Sequence, residues 1–215
     1  MRWFALVALA AIAHGCGGSQ GNSSPSAATP VRAVCPAELN VFYFAPGTFD
    51  ADRPDLDEFE RKWFSEHLRA MEAPTLSCGR DDVALETYRF LWLRTFHHPI
   101  SVHVRRTASG VTVDAVELSG AGGYEPGSIS KRGSGLLSLT DWQKLDAALA
   151  VSAFWTQPTN DSRGVFDGAQ WIVEGRRGHE YHVVNRWSPE AGPYRDLGLL
   201  FLQLAGYVAS DLEIY

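Results

Sequence analysis

The chain has 215 residues, 45% of them hydrophobic and 20% charged, and a net charge of −6. That mixture excludes wholesale disorder and allows one good core. An acidic chain lacks the basic footprint of a general nucleic-acid binder, so nucleic acid is excluded as a partner.

The N-terminus reads as an address. Arg2 precedes eleven apolar residues from Trp3 to Ala13, followed by small residues around Cys16. This is the pattern of a secretory signal peptide over residues 1–15, and it is short of the about 20 residues that span a bilayer. Ala13-His14-Gly15-Cys16 resembles a bacterial lipobox, in which the cysteine thiol is lipidated. Ala11-Ile12-Ala13 offers the rival, an ordinary cleavage site that would leave a soluble secreted protein. Cysteine parity favours the lipobox: with Cys16 acylated, Cys35 and Cys78 remain and can form a disulfide. Residues 16–33 are rich in Gly, Ser, Pro and Ala and read as a flexible tether. The expected location is the bacterial cell envelope, with the domain anchored to the membrane by its lipid and facing the periplasm or the exterior.

A single globular domain is expected over residues 34–215. Residues 39–44 suggest a short strand. Asp52 and Pro54 open a helix carrying Leu56, Phe59, Trp63, Phe64, Leu68 and Met71 at helical spacing, stopped by Pro74. Around Tyr88–Phe96 both alternating sets are largely apolar, which predicts a central strand covered on both faces. Ile100, Val102 and Val104 alternate with Ser101, His103 and Arg105 in a half-buried strand. Val111, Val113 and Ala115 continue the meander after a turn. Residues 120–135, rich in Gly and Ser, read as a loop. Thr140 with Gln143 forms a capping-box pattern before a second helix. Residues 169–174 and 179–187 form a hairpin, and a largely apolar last helix starts at Pro193. Strands cluster and do not alternate with helices. The fold class is therefore α+β, an antiparallel sheet of meander plus C-terminal hairpin packed with about three helices.

Chemistry is sparse. His97-His98, His103, His179 and His182 have no chelating spacing, and no H-E-x-x-H or C-x-x-C occurs, so neither metal nor cofactor is expected. Residues 127–135 lack the spacing of a nucleophile elbow and the G-K-[ST] of a phosphate loop. The densest polar set lies in the hairpin. With a three-residue loop at 176–178, Ile172 faces His182. Trp171, Val173, Tyr181 and Val183 then share one face, with Trp187 on the core side as well. Glu174, His182 and Arg186 share the other. A carboxylate, an imidazole and a guanidinium on one face could bind a ligand or move protons; they could equally form a solvated face with an ion pair.

Several strings taken together are specific: residues 90–99 (FLWLRTFHHP), Gly122-Gly123-Tyr124, Phe154-Trp155, residues 167–171 (DGAQW), Glu174-Gly175, Tyr181-His182 and residues 186–189 (RWSP). They resemble an uncharacterised family of bacterial secreted or lipid-anchored proteins. The resemblance covers about residues 85–205. It implies a shared fold and supplies no activity, substrate or catalytic residue. Two functional classes follow. The first is a non-enzymatic envelope lipoprotein domain with a binding, inhibitor or assembly role, whose protein or small-molecule ligand is unspecified. The alternative is a hydrolase-type enzyme built on Glu174 and His182.

Overall fold

A strand buried on both sides organises the molecule. The computed structural model describes residues 41–78, 84–160 and 167–215, all within one compact unit, Ala33–Tyr215. Strand β1 (Ala84–Arg94) is buried continuously from Thr87 onward. Tyr88, Phe90 and Trp92 enter one apolar layer, and Leu91 and Leu93 enter the other. Two apolar sets in alternation are what a strand needs when both faces are covered. Around it lie β2 (Ile100–Thr107), β3 (Gly110–Leu118), β4 (Ile129–Leu137), β5 (Ala169–Arg177) and β6 (Glu180–Trp187). They form one six-stranded sheet in the order β4-β3-β2-β1-β5-β6, antiparallel at every pairing. With three α-helices among the described residues, this is the α+β fold that the strand clustering implies.

Helix α1 (Pro54–Ala70) packs on one face through Phe64 and Leu68, joined by Phe44, Phe49 and Met71. Phe59 from the same helical pattern is exposed, at 60%. Helices α2 (Leu139–Val151) and α3 (Pro193–Leu204) cover the opposite face with Trp142, Leu145, Leu149, Leu197 and Phe201. Asp57, on the first turns of α1, is buried and accepts the backbone N–H groups of Gly47 and Phe49 and Nε of Arg61. Burial raises the Asp57 pKa, but those donors outweigh it and hold the carboxyl below its usual range.

Four local expectations are corrected. Residues 41–44 form turns and bends, not a strand; residues 39 and 40 lie outside the described residues. The 120–135 segment is a loop only in its first part, since β4 pairs with β3 from Ile129. An edge strand exposed nearly throughout needs no apolar alternation, so composition hides it, and Lys131 and Arg132 on it discourage stray pairing. Helix α2 is capped by Ser138, with Asp141 completing the capping box in place of Thr140 and Gln143. Trp187 is half-buried and pairs with Gln170, on the sheet face opposite the fully buried Trp171.

Helix α3 approaches the sheet closely at Gly198. A Cβ there would lie 2.5 Å from two ring carbons of Trp171 and 3.2 Å from Phe90. In an open helix, Gly→Ala gains up to about 1 kcal/mol, whereas overpacking a tight core costs about 1–3 kcal/mol. The buried indole cannot retreat, so the second effect wins. Gly198→Ala is expected to destabilise by about 1–2 kcal/mol in urea unfolding.

Candidate functional site

The sheet separates the hairpin set that the sequence groups together. The turn between β5 and β6 has two residues, Gly178 and His179, because Arg177 pairs directly with Glu180. Gly178 has φ +56, glycine at the first turn position being the choice of type II′ hairpins. Ile172 therefore faces Asn185, and His182 faces Gly175. This register differs from the three-residue-loop reading by an odd number of residues, which moves every β6 side chain to the other face. Glu174 shares its face with Tyr181 and Val183; His182 and Arg186 stand on the face of Trp171 and Val173.

Glu174 is sealed in an ion pair. It sits directly across from Arg89 on β1, and the two side chains are 2% and 1% exposed. One guanidinium nitrogen of Arg89 bonds Glu174 Oε2, and the other donates to the Pro74 carbonyl at 2.6 Å. The Tyr181 hydroxyl donates to Glu174 Oε1 at 2.9 Å. Burial, and then the adjacent Glu174 carboxylate, push the Tyr181 phenol well above its usual pKa.

His182 and Arg186 clamp the outer edge of β6. His182 Nε2 bonds the Gln157 carbonyl at 3.0 Å, and its ring packs on Phe154 and Trp155. Burial lowers its pKa. Arg186 donates to the side chain of Gln157 and to the carbonyls of Pro158 and Thr159. The Asn185 N–H also donates to Thr159. These contacts hold residues 154–159 against the strand.

A different group of polar side chains converges on the α1 face. The apolar layer under α1 takes Leu91, Leu93, Leu118, Ile172 and Val183, and the middle of β2, β3 and β4 is left to polar residues. Register aligns them: Arg89, His103 and Asp114 in one row, and Leu91, Ser101, Val116 and Arg132 in the next. Between these rows and residues 71–74 lies an open cleft of about 200 Å³. Arg89 and His103 line its floor, while Arg105, Asp114, Arg132 and Glu72 are more exposed around them.

The electrostatics of the cleft are paired. Arg105 bonds Asp114 at 2.8 Å, and Arg132 bonds Glu72 at 2.8 Å and the Met71 carbonyl at 3.0 Å. His103 is nearly inaccessible and shares a 2.6 Å hydrogen bond with the Thr87 hydroxyl. Burial, and then the charges of Arg89 and Arg105, hold its pKa well below the ordinary histidine value. The imidazole is therefore neutral near pH 7. Both carboxylates that line the cleft among the described residues, Asp114 and Glu72, are engaged by guanidiniums, and guanidinium forks are the groups that match the geometry of an acceptor-rich ligand.

Glu72 itself is unusual. Its N–H bonds the Arg69 carbonyl and that of Ala73 bonds Leu68, the Schellman termination of α1. The residue after the C-cap adopts left-handed backbone, φ +56, where glycine is the usual occupant.

Cys16 and Cys35 lie outside the described residues. Among the described residues, no group of three or more His, Cys, Asp or Glu is placed to hold a metal ion, and no helix is long and apolar enough to cross a membrane. No protein-family model matches the chain, and no curated protein matches it either.

Two measurements follow from this geometry. Glu174→Ala leaves a buried guanidinium without its counterion and is expected to destabilise by about 3–5 kcal/mol, whereas Arg89→Met with Glu174→Leu removes both charges and costs much less. A double-mutant cycle by chemical denaturation checks this. The second concerns pH. His67, fully buried in α1, and His103 both have depressed pKa values. The unfolded chain takes up these protons first, so the stability the two provide is present above pH 6.5, the ordinary histidine value, and falls as pH drops through that value toward the folded pKa values. His103→Gln is expected to flatten the stability profile between about pH 7 and pH 5.

Proposed function

We propose that this chain is a non-enzymatic binding domain, held at the bacterial envelope by a lipid on Cys16, which takes its ligand in the cleft between the end of α1 and strands β2–β4. The carrying observation is the convergence of Arg89, His103, Arg105 and Arg132 from three strands, β1, β2 and β4, on a concave surface that α1 leaves open. Side chains mounted on paired strands hold their positions before a ligand arrives, which lowers the entropic cost of binding. The hydrolase reading on Glu174 and His182 loses its geometric basis, because those residues lie on opposite faces of the sheet and each is committed to a structural contact. A Cys35–Cys78 bridge belongs to the proposal; its support is that Cys78 is held in a disulfide and not as a free thiol.

The test is made in the native host. The full chain, labelled with a clickable fatty acid, should carry label that Cys16→Ser removes. Unlabelled protein cleaved after Ala13 overturns the anchor in favour of secretion. In a deletion strain, Arg105→Glu with Arg132→Glu should fold and yet fail to restore the wild-type phenotype. Full restoration by that variant removes the cleft from function.

A further inference from the structure

The three guanidiniums of the cleft are not held equally. Arg89 and Glu174 are locked inside the sheet, at 1% and 2% side-chain exposure. Arg105 and Asp114 are both fixed on paired strands, each 37% exposed. Arg132 and Glu72 are 50% and 70% exposed, and Glu72 sits on a helix cap, not on the sheet. A pair so exposed is the weakest class of ion pair. Its carboxylate can swing into solvent without leaving a buried charge behind.

Charge balance then decides what could enter. Among the described residues, with Glu72 in place the three guanidiniums meet three carboxylates, and His103 adds no charge. With Glu72 displaced, Arg132 loses its carboxylate partner and presents a guanidinium to the cleft. Guanidinium forks match the geometry of carboxylate and phosphate oxygens. Arg89, almost fully buried at the cleft floor, has its terminal nitrogens engaged by Glu174 and Pro74 and leaves Arg105 and Arg132 as the accessible guanidiniums. Glu72 provides a second sign. A glycine would relieve its left-handed backbone, yet the position carries an acid whose carboxylate lies on Arg132. Strain kept beside a cleft is the kind that accompanies a working site.

We propose that the cleft is an oxyanion site gated by Glu72: a small free carboxylate or phosphate compound displaces Glu72 from Arg132 and is held between Arg132 and Arg105. The proposal rests on the reading of the cleft as the ligand site, and it adds the ligand's chemistry and a built-in competitor for it. Glu72 acts as an internal mimic of the ligand, so the resting cleft discriminates against anions that bind Arg132 no better than a carboxylate already does.

The experiment is isothermal titration of the detergent-purified full chain at low ionic strength, where screening is least. Inorganic phosphate and succinate are the two probes, and they separate a tetrahedral from a planar ligand. Glu72→Gly places glycine where the helix termination prefers it, so the variant should unfold at the same or a higher temperature. It should bind the preferred probe about tenfold more tightly than the wild type, and Arg132→Gln should bind it about tenfold more weakly. Equal or weaker binding by folded Glu72→Gly overturns the gate. Failure of both probes to bind wild type and Glu72→Gly overturns the oxyanion assignment, and if the cleft variants still fail to restore the wild-type phenotype, the binding-site reading stands without it. Tight probe binding combined with full restoration by Arg105→Glu with Arg132→Glu supports the oxyanion chemistry and overturns its link to function.

Discussion

The ion pair between Arg89 and Glu174 is the constraint on which the rest depends. Two charges taken out of water recover little of their desolvation cost from mutual attraction, so such a pair adds little net stability. Its force lies in what it forbids. Slipping β5 by one residue against β1 would carry Glu174 to the face of Phe90, Trp92 and Trp171, where no cation waits on the strand opposite. The pair thus fixes the register of two adjacent strands inside the sheet. Through the Tyr181 hydroxyl it extends the same discipline to β6, and through the Pro74 carbonyl to the chain leaving α1.

The same pair explains why the α1 face is split. An apolar helix cannot be laid over a row containing Arg89, His103 and Asp114 without taking the half-exposed Arg105–Asp114 pair out of water, which costs more than its mutual attraction returns. The helix therefore keeps to the side where Leu91, Leu93, Ile172 and Val183 supply apolar surface. What remains over β2, β3 and β4 is a shelf of polar side chains with an overhang at residues 71–74. The cleft is the geometric remainder of a helix that covers only the part of the sheet it can afford to dry.

How much of this the sequence disclosed varies with how much information each position carries. The two apolar sets of β1 are legible because a doubly covered strand has no other composition, and Pro193 marks the start of α3 because proline fits a first helical turn. The meander is legible through the alternation of Ile100, Val102 and Val104 with Ser101, His103 and Arg105. Read alone, that polar set describes a solvated face. Its meaning appears only when β1 is seen to present Arg89 beside it, and nothing local says that. β4 escaped because Gly, Ser and exposed polar residues look the same in a loop and in an edge strand. The hairpin set failed for a sharper reason: a turn of two residues in place of three sent Glu174 and His182 to opposite faces. Face assignments in hairpins inherit the uncertainty of the turn, and the sequence Arg176-Arg177-Gly178-His179 permits both lengths.

The two faces of the sheet divide the labour. On the α2 and α3 side, large rings interlock: Phe90, Trp92 and Trp171 lie within about 6.5 Å of one another, centroid to centroid, and His182 and Arg186 close that layer at the sheet edge. Such packing has one low-energy arrangement and resists deformation. On the α1 side, the groups that surround the cleft come mostly from strands, held to that rigid layer by backbone pairing. Glu72 is the exception, carried on the end of a helix whose last turn it terminates. A site in which the floor is fixed and one competing side chain is free can change occupancy without changing fold. Rearrangement is then confined to a single exposed carboxylate, and the ion pair beneath the floor keeps the register of the sheet while it moves.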